Sequence, residues 1–62
     1  MNHCLHFYTK QLELLQNEKD DNTRYYSASL ILSICKEKHK ENLLSKDELM
    51  LVYIAHRAAI NA

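Results

Sequence analysis

The sequence predicts an all-α fold, and three observations carry that prediction. Its 62 residues contain no glycine and no proline. Apolar residues recur at three- and four-residue spacings, the period of a helix face. An S-x-x-E helix start, Ser45 to Glu48, opens the final apolar stretch. Average chains carry about 7% glycine and 5% proline. Tight hairpins, phosphate-cradling loops and left-handed turns lean on glycine, so its absence argues against a β-rich fold and excludes glycine-rich nucleotide motifs.

Three short helices are predicted, at about residues 3–19, 23–41 and 46–60. In the first, Leu5, Tyr8, Leu12 and Leu15 fall on one stripe. Phe7 and Leu14 sit beside that stripe and Cys4 broadens it. "KDDNT" then interrupts the pattern. Asp21 and Asn22 are both good N-caps, because their side-chain oxygens accept from the free amides of the next turn.

The second helix contains "ASLILSIC", a run short enough to be confused with a strand. Its flanks decide for helix: no glycine or proline bounds it, and "KEKHKE" continues it with good helix formers. Ala28, Ile31 and Cys35 share one face, and Tyr26, Leu30 and Ile34 share another. So wide an apolar arc predicts the most buried of the three helices, with a solvated tail.

The third helix has the clearest start. Ser45 and Glu48 form a capping box, with Leu44 and Leu49 placed as a hydrophobic staple around it. Asp47 and Glu48 near its beginning, and His56 and Arg57 near its end, complement the helix dipole. Leu49, Val52, Tyr53, His56 and Ile60 form one face. Leu51, Ala55, Ala58 and Ala62 form another, with Met50 and Ile54 between them. A helix apolar nearly all round requires surrounding, and two short helices cannot surround it.

Size points the same way. Residues 1–62 make a single small domain, which buries only about 60% of the surface of its unfolded chain. A core of this size rarely supplies more than roughly 3–5 kcal/mol, so small folds add disulfides, a metal or a second subunit. Two cysteines, Cys4 and Cys35, are too few for a disulfide scaffold. No secretory signal and no run of about 20 apolar residues is present, which predicts a cytoplasmic protein with no membrane segment. The net charge is zero, and the slight excess of acid before residue 24 and of base after it makes no basic stripe. Direct sequence-specific binding of nucleic acid is not expected. The remaining means of completing the fold is self-association or a partner protein.

Candidate chemistry is sparse. In "HCLH", His3 and His6 are spaced to share a metal, with Cys4 or His39 as further ligands. A structural zinc site needs four ligands in recognisable spacings, and neither a C-x-x-C nor an H-x-x-x-H accompanies these. An ordinary helix end is the expected reading, with no metal and no cofactor. Cys35 and His39, one turn apart, would suit a nucleophilic pair. Cys35 ends an apolar stripe, however, where a thiol behaves as a small hydrophobe. No catalytic residue is assigned, and a non-enzymatic role is expected. "KEKHKE" mixes Glu37 and Glu41 with its lysines and reads as a solvated helix tail. Tyr25 and Tyr26 lack a basic groove and suit a protein interface better than nucleic-acid bases.

In "LLSKDELMLVYIAHRAA" the order Leu44, Ser45, Glu48, Leu49, Tyr53, Ala55 resembles the Hha/YmoA family of small bacterial expression modulators. His56 and Arg57 match that family in type but come two residues early, which turns them to another helix face. The resemblance covers residues 44–59. It implies an all-helical modulator that acts by binding a nucleoid-structuring partner protein.

The expected function is therefore a small protein-interaction module, a bacterial or mobile-element regulatory modulator working through apolar helix faces. Its expected partner-facing residues are Tyr8, Leu12, Leu15, Tyr26, Leu49, Val52, Tyr53, His56 and Ile60. The alternatives are a homodimeric structural module or small export co-chaperone and, more remotely, a metal-binding protein or Cys/His enzyme.

Overall fold

A computed structural model of the chain describes residues 3–62, so Met1 and Asn2 of the expected domain lie outside the described residues. The helices are α1 (His3–Leu15), α2 (Asp21–Lys40) and α3 (Lys46–Ile60), with no strand among the described residues. The all-α expectation holds. α3 packs against both other helices, and the pairing of α1 with α2 is the slightest of the three. Their shared core is Leu12, Ala28, Cys35, Leu44, Val52 and Ala59, each at most 2% exposed. Two of these are alanines, one on α2 and one on α3, so small side chains occupy the interior of both helices.

α1 stops at Leu15, four residues short of the expected boundary. The amides of Gln16, Asn17 and Glu18 bond three residues back, to Glu13, Leu14 and Leu15, which tightens the chain into a turn. Arg24 then holds that turn. Its guanidinium donates to the Glu18 carbonyl and to Asp21 Oδ1, each at 2.7 Å, while the side chain itself is only 7% exposed. A cation ties the turn to α2, so the helical pattern cannot run on through Glu18.

α2 begins at Asp21 rather than Thr23, and its N-cap is Asp20 rather than Asp21 or Asn22. Asp20 Oδ2 accepts from the Thr23 amide at 2.8 Å and from the Thr23 hydroxyl at 2.6 Å. Those bonds favour the carboxylate, the hydroxyl's most, and hold the Asp20 pKa below its ordinary value. Asp21 therefore occupies the first helical position, where its charge meets the helix dipole.

α2 holds more fully buried residues than either other helix, but its wide apolar arc is covered on one side only. Only Arg24, Ala28 and Cys35 are fully buried along its length, and Tyr26 and Leu30 stand 72% and 50% exposed. A wide apolar arc needs neighbours on two sides, and α1 and α3 cover only the Ala28–Cys35 side. The tail is not wholly solvated either. His39 Nδ1 lies 2.9 Å from the Leu44 carbonyl. A carbonyl only accepts, so Nδ1 carries the proton and donates.

Without glycine, the turn into α3 needs another residue for its left-handed position. Asn42 takes it, at φ 63°. The Leu43 amide bonds the Lys38 carbonyl and the Asn42 amide bonds the His39 carbonyl, the two bonds of a Schellman ending. Asn tolerates this region better than other residues with a Cβ. α3 then opens on the expected capping box. Leu44, just before it, is 2% exposed, and Leu49 packs against the core that contains Leu44.

Candidate interaction surface

α3 carries two apolar faces, and the bundle covers one. Val52 and Ala59, seven residues apart, are fully buried. Leu49 and His56 complete the three- and four-residue spacing between them and are half-buried. At about 100° per residue, Ile54 points some 200° round from Val52. It is 64% exposed, with Met50 at 52% and Leu51 at 51% beside it. These three side chains face away from the core of their own chain.

Between that outer face and α1 runs a groove of about 400 Å³. Leu5, Leu51, Ile54, Ala55 and Ala58 supply its apolar walls. Its α1 side also carries His6, Thr9 and Glu13, with Gln16 just beyond the helix; the Thr9 hydroxyl is donated to the Leu5 carbonyl at 2.8 Å. Leu51 and Ile54 are more than half exposed, which makes this a surface groove rather than an enclosed cavity. The exposed apolar side chains Leu51 and Ile54 thus line one side of an open groove.

The two remaining seams are more polar. α1 and α2 enclose about 450 Å³, where Leu14, Leu15 and Ile31 alternate with Gln11, Asn17, Glu18 and Ser27. α2 and α3 enclose about 320 Å³ lined by Tyr25, Ser29, His56, Ile60 and Asn61. In that seam His56 Nε2 is buried without a hydrogen-bond partner. Burial, and secondly the charge of Lys36, hold the His56 pKa below its ordinary value. Lys36 itself sits 5.7 Å from the centre of the Tyr53 ring.

The residues expected to face a partner divide into three groups. Leu12 and Val52 are 0% exposed and belong to the interior of the chain, so they are corrected from partner surface to core. Tyr8, Leu15, Leu49 and Ile60 are half-buried and pack against that core, and His56 is half-buried in the α2–α3 seam. Only Tyr26, at 72%, and Tyr53, at 38%, are exposed. The stripe that looked like an interface is the inner face of the bundle. Met50, Leu51 and Ile54 were outside the expected set, because the sequence alone does not separate a stripe covered by its own bundle from one left open.

Candidate chemical residues are not brought together. His3 and His6 are exposed on α1, and no group of three or more His, Cys, Asp or Glu side chains suits a metal among the described residues. The Cys35 thiol is 0% exposed, and burial pushes its pKa up to about 11. Such a thiol is protonated at neutral pH and a weak nucleophile. His39, its candidate base, is engaged with Leu44. No helix among the described residues is long and apolar enough to cross a membrane.

What fold and surface define is a three-helix bundle with an apolar face left open on its third helix. Comparison of the chain with protein-family models, with curated proteins and with solved structures returns no match.

Proposed function

We propose that this chain is a small regulatory modulator that acts by binding a partner protein through the outer face of α3. The observation that carries the reading is the exposure of Met50, Leu51 and Ile54 opposite a fully buried Val52 and Ala59. Half or more of each of these side chains remains in water, so a large part of the roughly 1.5–3 kcal/mol that full burial of each would contribute is still to be gained. A chain whose own core is this small gains proportionally more than a large one from covering them.

The resemblance of residues 44–59 to bacterial expression modulators supports the regulatory part of the reading. Within that segment Leu44, Ser45, Glu48 and Leu49 start and anchor α3. Tyr53, the matched large side chain, is 38% exposed, which supports its use by a partner.

The second reading is a homodimer, in which the same face meets its copy. Sedimentation across a dilution series separates the two. A molecular weight that falls on dilution identifies the copy. A constant monomer weight, together with capture of one distinct protein from the native cell, identifies a heterologous partner. A constant monomer that captures nothing contradicts both.

A further inference from the structure

We propose that Cys4 and Cys35 are an oxidation site, closing an intramolecular disulfide that ties the first turn of α1 to α2. The placement of the two helices carries this. α1 runs into the 16–20 turn and α2 leaves it. Leu14 and Leu15 lie beside Ser27 and Ile31 across their seam. Cys4 stands eleven residues before Leu15 and Cys35 fourteen after Asp21. At 1.5 Å per residue those heights differ by about 5 Å, less than one helical turn.

Both side chains also turn toward the same interior. Cys35 belongs to the buried core, and Cys4 packs against that core from α1. Both are thiols in this structure. They are near enough that charge on Cys4 opposes ionisation of Cys35.

The two thiols differ in a way that orders the chemistry. Cys4 is half-buried and meets solvent, whereas Cys35 does not. The oxidant is a low-molecular-weight disulfide such as oxidised glutathione. Cys4 thiolate attacks one of its sulfurs, forming a mixed disulfide and releasing one small thiolate. Cys35 then loses its proton to water, and its thiolate attacks Cys4 Sγ and displaces the second small thiolate. Two protein thiols are oxidised and one small disulfide is reduced to two thiols, so electrons and protons balance. Because Cys35 must ionise from an apolar setting, the closing step is the slow one. It accelerates about tenfold per pH unit below its pKa.

The test uses the full chain, folded in native buffer, against a series of oxidised-to-reduced glutathione ratios. Intact mass, followed by peptide mapping without reductant, should show a monomer lighter by two hydrogens with Cys4 joined to Cys35. Its melting midpoint should rise by at least about 5 °C, and reductant should reverse the rise. The closing rate should climb from pH 7 to pH 9. Glutathione retained on Cys4 with Cys35 still reduced would overturn the proposal. So would a disulfide only between chains, or one that forms only in denaturant. Mapping the unsubstituted protein keeps the result independent of whether a Cys35 variant folds.

Discussion

Ser45 and Glu48 hold each other across the first turn of α3. The Ser45 amide donates to Glu48 Oε1 at 2.8 Å, and the Glu48 amide donates to Ser45 Oγ at 3.1 Å. This pair satisfies two amides at the start of α3 that have no partner within the helix. It places the N-cap, Ser45, directly after Leu44, the buried side chain that anchors the turn from α2.

Ser45→Ala removes one half of that pair and should cost about 1 kcal/mol, the usual loss for an N-cap. Chemical denaturation should show a lower midpoint with an unchanged slope. An unchanged midpoint would mean that α3 does not depend on this start.

Asn42 sits in the left-handed region that a chain without glycine must fill some other way. Asn42→Gly should raise stability by up to about 1 kcal/mol, and Asn42→Val should lower it by more than that. Thermal melts of the two variants check the opposite signs. A destabilising glycine would mean that the Asn42 side chain contributes more than its backbone shape.

Leu12→Ala should cost about 2–5 kcal/mol, as cavity-forming changes at fully buried leucines do. That is comparable to all the stability expected of a core this small. The variant should be largely unfolded by circular dichroism at ambient temperature. A folded variant that had lost only partner binding would return Leu12 to the interaction surface.

His56 predicts an acid-side loss of stability. Its folded pKa lies below the unfolded value near 6.5, first because it is buried and then because Lys36 faces it across the α2–α3 seam. The unfolded chain therefore binds the proton more readily. Stability is full above the unfolded value and is lost as pH falls from there through the folded one. Denaturation midpoints should fall between pH 7 and pH 5, and His56→Phe should flatten that part of the curve. An equally steep fall in the variant would assign it to another group.

The helices and their inward stripes were legible because they rest on local rules. Leu5, Tyr8, Leu12 and Leu15 keep one spacing, and the Ser45 capping box is written in four residues. What the sequence did not disclose depended on side chains reaching across turns. Arg24 ends the extension of α1 by binding the Glu18 carbonyl, and Asp20 takes the cap from two equally suitable neighbours through Thr23. The role of α3's faces was misjudged for a related reason. Apolar stripes look alike in sequence whether their own bundle or another molecule covers them. Only the packing of α1 and α2 shows that Val52 is spent internally and Ile54 is not.

The central claim is that the outer face of α3 binds a protein, and Ile54→Glu tests it most directly. The measurement is quantitative co-purification from the native cell of the tagged chain, unchanged or with this substitution, in the presence of an isotopically labelled second copy. Ile54 is 64% exposed, so the substitution should alter stability by no more than about 0.5 kcal/mol. The variant should stay folded and lose, by at least tenfold, the protein or the labelled copy that the unchanged chain retains. Equal recovery by both chains, with both folded, would contradict the account.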